Sequence, residues 1–238
     1  MSGRMDRPLD IIAEYAKAGK GTIAVVPRIR QQAEWSDIQK VIRDGRAKEL
    51  LPVGSDLYFE IEGGELAHVV VVALDHYGHE DHDAVFWFRK IVDCRPINGT
   101  LTNEGGFAGS EIRKWLNGEF FEKLPGGLKD VIVPHEIVQK LKRGEVVVCE
   151  EKIFLPSEYE FSGRNRWAEY NGVDRQFEFT EEERNRVAYD DYGDTMWYWT
   201  ADPSSADTTN FCIFGNAGSS DYNGAHCEGG VAPLFVIS

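Results

Sequence analysis

The sequence predicts an α+β fold, and three observations predict it. Runs of β-branched and aromatic residues at 57–62, 66–74 and 84–92 read as strands, the first two joined across Gly63-Gly64 as a hairpin would be. Apolar residues recur at helical spacing only in short, separate stretches. The two kinds of stretch interleave without the alternating rhythm that builds a parallel sheet, so antiparallel strands with two to three helices packed on them are expected.

Taken in order, RPLDIIAEYAKA (7–18) places Leu9, Ile12, Ala13 and Ala16 on one helical face and stops at Gly19, a short N-terminal helix. EWSDIQKVIRDG offers Ser36 as N-cap with Gln39 three residues on, Ile38, Val41 and Ile42 inward and Gly45 as the stop. LYFEIE, LAHVVVVAL and AVFWFRKIV form an antiparallel meander. GSEIRKWLNGEFFEKL puts Ser110 before Ile112, Trp115, Leu116 and Phe120, a helix that packs on that meander and closes at Pro125. KDVIVPHEIVQKL, EVVVCEEKIFLPS and MWYWTA read as short strands, and the acidic stretch 177–194 as a surface helix or long loop. With no linker or repeat in sight, the division is an N-terminal helical extension, 1–34, and one domain, 35–238.

Composition excludes several functions. A formal net charge of -14 argues against a nucleic-acid backbone and against anionic membrane surfaces as partners. No run approaches the roughly 20 apolar residues that span a bilayer, and MSGRMDRPLD lacks the apolar core of a secretory signal. A cytoplasmic protein, or one carried in a virion, is the expectation. Cys94, Cys149, Cys212 and Cys227 show neither a CxxC pair nor zinc spacing and read as reduced structural thiols, with a Cys212–Cys227 disulfide conceivable only in an oxidising milieu.

Sharper chemistry is scarce. DHYGHEDHD (75–83) concentrates Asp75, His76, His79, Glu80, Asp81, His82 and Asp83, and His76 with His79 suggests a divalent metal. All are also ordinary turn residues, and a polar hairpin tip is the favoured reading. AKAGKGT (16–22) fails as a phosphate loop because a helix precedes it and Gly21 separates Lys20 from Thr22. Trp197 and Trp199 share a strand face, with Tyr198 opposite, and read as core aromatics before they read as a sugar-stacking platform. No catalytic motif is present, so no enzyme activity and no cofactor or metal is assigned.

IRKWLNGEFF, IFLPS and the closing GVAPL, with the segments between them, resemble a domain of unknown function common in gut bacteria and their phages. Its signatures are a leucine-asparagine helix followed by an aromatic, then lFLPS, then gvRPa. The resemblance runs over residues 35–238 and departs at Ala232, where the family carries Arg. It implies a C-type-lectin-like fold similar to that of formylglycine-generating-enzyme relatives, with long C-terminal loops. The copper-binding cysteine pair of the catalytic relatives lies close together near the C-terminus, which Cys212 and Cys227 do not match, so that activity is not carried over. The resemblance also implies that the chain is a variable protein of a diversity-generating retroelement, whose adenine-targeted mutagenesis scatters asparagine codons among those ending in a pyrimidine, with the variable region at about 197–238.

Residues 204–227, SSADTTNFCIFGNAGSSDYNGAHC, fit that implication. They contain no Lys, Gln, Glu, Met or Trp, the residues that pyrimidine-ended codons cannot encode; at roughly a fifth of average usage, their absence over this length has a chance probability of about one in a hundred. The remaining types suit adaptable recognition, Tyr as rigid anchor and Ser, Asn and Gly as hydrogen-bonding neighbours. Asn210, Asn216, Ser219, Ser220, Asp221, Tyr222, Asn223 and His226 are therefore the expected binding residues for a protein or glycan ligand. The alternatives are a metal-dependent lectin or enzyme using 75–83, and a structural phage or cell-surface decoration domain.

Overall fold

The structure, a computed structural model, describes residues 34–79, 81–142 and 144–238. The expected helix at 7–18, the 16–22 turn and nearly all of the N-terminal extension lie outside the described residues.

Two five-stranded sheets dominate. The first has the order β1 (Asp56–Glu60), β2 (Leu66–Leu74), β3 (Ala84–Phe88), β14 (Leu234–Ile237), β5 (Ile132–Val133), antiparallel throughout. The second has the order β12 (Ser220–Gly224), β11 (Asn210–Phe214), β10 (Tyr198–Pro203), β13 (Gly229–Val231), β4 (Asp93–Arg95), with only β10 and β13 parallel. Two hairpins, β6 (His135–Lys140) with β7 (Val146–Glu151) and β8 (Ala188–Tyr189) with β9 (Thr195–Met196), complete the strands. The mixed α+β architecture and the β1–β2–β3 meander are thus as expected.

The core lies on the first sheet. Every residue of β3 and β14 is buried, as continuous apolar runs require when both faces are covered. The helix Trp35–Arg43 covers one region, Trp35 edge-on to Phe59, Phe86 and Phe235 at 5.1, 6.5 and 6.3 Å. It starts two residues before Ser36 would have capped it: Glu34 is the N-cap and donates its N–H to Asp37 Oδ2 at 3.2 Å, which frees Trp35 to pack as the first helical residue. Ser110 does cap the next long helix, accepting the Arg113 N–H at 3.2 Å. That helix runs from Glu111, opens into one π-helical turn at Leu116–Phe120 and ends at Lys123, with Phe120 seated on Phe88 at 5.5 Å, so it packs on the meander as expected.

Three local expectations are corrected. Residues 177–194 form neither a helix nor one long loop but two 3-10 turns, Glu178–Glu181 and Glu183–Arg186, followed by the β8–β9 hairpin. Trp197 interrupts the strand, leaving Tyr198 and Trp199 fully buried in β10 while Trp197 is half-buried, its ring edge-on to Trp199 at 5.1 Å. The expected long C-terminal loops are strands: 210–224 is a hairpin, and β13 and β14 follow it. All four cysteines are free, so Cys212 and Cys227 are not paired. Ala232, where the resemblance expects Arg, is buried, and its carbonyl accepts the Trp87 indole N–H at 3.1 Å.

Candidate recognition surface

The polar segment becomes a hairpin because its first half is not polar. Phe211, Cys212, Ile213 and Phe214 are all buried in β11, and β12 is carried out to the edge of the second sheet as their pairing partner. The turn between them is held by Gly218, whose φ of +84° suits glycine and whose missing side chain makes room for the Glu183 carbonyl; a Cβ there would lie 2.3 Å from that oxygen.

None of the eight sequence-predicted residues is buried. Asn216, Ser219, Asp221, Tyr222 and His226 are exposed; Asn210, Ser220 and Asn223 are half-buried. They do not share one face. Tyr222 stands opposite Cys212 and Asp221 opposite Ile213, so Ser220 and Tyr222 project from one side of β12, Asp221 and Asn223 from the other. Asn216 and Ser219 occupy the turn. His226 lies with the half-exposed Leu101 beside Gly224, at the far end of the strand. Asn210 sits apart, its amide N–H bonded to Asp207 Oδ2 at 2.7 Å within the turn that starts β11.

As an edge strand, β12 has backbone groups turned away from its partner. The bonds from Gly215 N–H to the Ser219 carbonyl and from Ala225 N–H to the Thr209 carbonyl fix the phase, so the even-numbered residues of β12 direct their backbones outward. Three of those outward groups are occupied. Asp221 Oδ1 accepts the Tyr222 N–H and Asn223 Oδ1 the Gly224 N–H, both at 2.9 Å, while the Ser220 carbonyl accepts the Trp167 indole N–H at 3.2 Å. An edge capped in this way resists pairing with a further strand. Side chains, not backbone, are what it offers a partner.

Sequence reasoning missed Trp167. Its ring meets Tyr222 edge to face at 4.8 Å, and the exposed Arg166 guanidinium lies over it at 4.8 Å. Its backbone is anchored from below: Glu158 Oε2 accepts the Trp167 and Ala168 N–H groups at 3.0 and 2.9 Å, and Ser205 donates both N–H and hydroxyl to the Trp167 carbonyl. Glu158 is fully buried, in the first turn of the helix Glu158–Ser162 that the IFLPS signature leads into. A Trp, Tyr and Arg together are the types that dominate binding hot spots. The available signal was GRNRWAEYNG, a turn-like stretch with exposed aromatics, but its partner strand lies more than 50 positions downstream.

The 75–83 cluster has a different fate. It connects β2 and β3 as expected, yet it is folded inward. Asp83, almost fully buried, accepts four backbone N–H groups, from His76 and Tyr77 on one oxygen and from Gly78 and His79 on the other. Tyr77 stacks on His135 with ring centroids 3.7 Å apart and donates its hydroxyl to Glu160. His79 Nε2 approaches His135 Nδ1 at 3.3 Å. Behind them is a cavity with about 20 Å³ of space for water, lined by His135, Gln139, Ser157, Glu160, Asp174 and Asp202 among others, with no Lys or Arg in the lining. Burial, then the neighbouring Asp174, pushes the Glu160 carboxyl up to about 8. Burial likewise raises Asp174 and Asp202, and it holds His135 down to about 3 and His76 to about 4. Among the described residues, no three His, Cys, Asp or Glu side chains are arranged to hold a metal ion. No described helix is long and apolar enough to cross a membrane.

Compared with known proteins, the chain matches the family model of a domain of unknown function, DUF6273, over residues 82–238, from the end of the 75–83 cluster through β14. Searches of curated proteins and of solved structures find no match.

Proposed function

The chain belongs to the DUF6273 family, and we propose that in this member the domain is a ligand-binding module whose recognition surface is the β11–β12 hairpin together with Trp167. On this reading the fold is C-type-lectin-like, 204–227 is the diversified region of a retroelement variable protein, and the ligand is a protein or glycan. The observation that carries it is the division of labour inside the hairpin. Phe211–Phe214 are buried and hold the strand, while none of the expected contact residues is buried. A surface meant to vary needs that separation, because substitutions at exposed positions change stability by only about 0.5 kcal/mol either way. The fixed Trp167 anchor beside a changeable Tyr222 supports the same reading.

Saturating Asn216, Ser219, Ser220, Asp221, Tyr222, Asn223 and His226 while scoring folding and ligand capture separately tests the proposal. Most variants should keep the fold and change which ligands are captured. Loss of soluble protein from the majority would end it. Sequencing the flanking DNA for a near-copy of the 3′ end that differs at adenines, beside a reverse transcriptase gene, tests the retroelement part alone.

A second reading has an observation of its own. The Tyr77–Glu160 contact, the stacked His135 and the polar cavity gather acid and base groups with displaced titration, a common mark of reactive sites. On this reading the domain is an enzyme. Activity lost in Tyr77→Phe and Glu160→Gln but retained in Tyr222→Ala would favour it over recognition.

A further inference from the structure

We propose that the Arg166–Trp167–Tyr222 stack selects an anionic group, and that its ligand is a glycan bearing a carboxylate or sulfate. The inference rests on the recognition reading above and names the chemistry of that same surface. Arg166 is exposed, lies 4.8 Å over the Trp167 ring and has no carboxylate within ion-pair distance among the described residues. The neighbouring Arg164 is exposed and equally without an acidic partner. In a chain of 40 acidic and 26 basic residues, an exposed guanidinium that lies over an indole and has no acidic partner is open to an anion from outside.

Stacking on an indole fixes the plane of a guanidinium without using its N–H groups, which leaves a preorganised fork matched to a carboxylate or sulfate. The anchoring of Trp167 by Glu158, Ser205 and Ser220 keeps that fork in place before any ligand arrives. Tyr222 supplies a ring edge, and the hydroxyls of Ser219 and Ser220 with the amide of Asn216 lie along the same hairpin. Overall charge decides between an acidic polypeptide and an acidic glycan. Long-range repulsion from a chain of net charge -14 grows with the partner's charge, so a mostly neutral, hydroxyl-rich ligand with one anionic group is opposed least.

The test is an array of matched glycans, neutral, sialylated, uronic and sulfated, probed with the whole chain and with Arg166→Gln, Arg166→Lys and Tyr222→Ala. Because Arg166 is exposed, its variants should melt close to the parent protein. Retention of anionic glycans, weakened about tenfold or more by Arg166→Gln and only partly restored by Arg166→Lys, is the expected result. Binding confined to neutral glycans, no glycan binding, or retention unaffected by Arg166→Gln would overturn it. A neutral glycan or a protein captured by the parent but lost in Tyr222→Ala would leave the recognition surface standing while removing the anion. Capture that ignores every hairpin variant would remove both.

Discussion

Two connecting segments of this chain look alike in sequence and end in opposite environments. DHYGHEDHD joins β2 to β3, and GNAGSSDYNG runs from the end of β11 through β12; both are short, polar and rich in turn formers. The first is drawn inward, with Tyr77 and His76 against Phe177 and Asp83 collecting the backbone of the turn. The second stays at the surface and satisfies its outward backbone with its own Asp221 and Asn223. Composition does not separate them. What does is the neighbourhood, since aromatic rings and a polar cavity from three distant segments surround the first, whereas the second, paired along β11, meets Trp167, Leu101 and the 183–186 turn.

Breaking the inner segment should therefore cost stability, and breaking the outer one should not. Asp83→Ala leaves four part-buried N–H groups without their acceptor and should destabilise by about 3 kcal/mol, read from urea unfolding. A smaller effect belongs to pH. Glu160 is raised in the fold, so its stabilising proton is fully held below the ordinary carboxylate range and is lost as pH rises through about 8. One proton is worth at most about 1.4 kcal/mol per pH unit, so stability should fall by about 2 kcal/mol between pH 6.5 and 8. Glu160→Gln should flatten that slope in melting curves. His76 and His135 act from the other side: both are lowered, so their contribution is complete above about 6.5 and declines as pH falls toward 4 and then 3.

Within the outer segment one position should behave like the inner one. Gly218→Ala meets both a positive φ and the Glu183 carbonyl and should cost about 1–3 kcal/mol. The adjacent Ala217 and Ser219 are exposed and should tolerate substitution within about 0.5 kcal/mol in the same denaturation assay. A Gly218 variant as stable as the parent would show that the turn does not rest on 183–186.

The same contrast explains what could be read from sequence. β2 is Leu66–Leu74 as expected, β1 is offset by a residue or two, and Ser110 caps its helix, because hydrophobic alternation and capping are local signals. β12 was not legible. Ser, Asp, Asn and Gly disfavour strands, and only pairing with the buried β11 holds SDYNG extended, a case of context overriding propensity. The candidate binding residues were chosen by type, and none of the eight is buried. Their split across two faces and the role of Trp167 depended on a contact between distant segments that no local pattern encodes.

The placing of β14 bears on how such a hairpin can be altered genetically. That strand lies between β3 and β5 in the first sheet, entirely buried, and it is encoded just downstream of the hairpin. A single-base insertion, deletion or stop codon introduced anywhere in 210–228 would therefore delete an interior strand of the main core as well as the altered surface. Only in-frame changes would yield a folded product, so the gene's arrangement makes folding itself a proofreading step for changes in this segment.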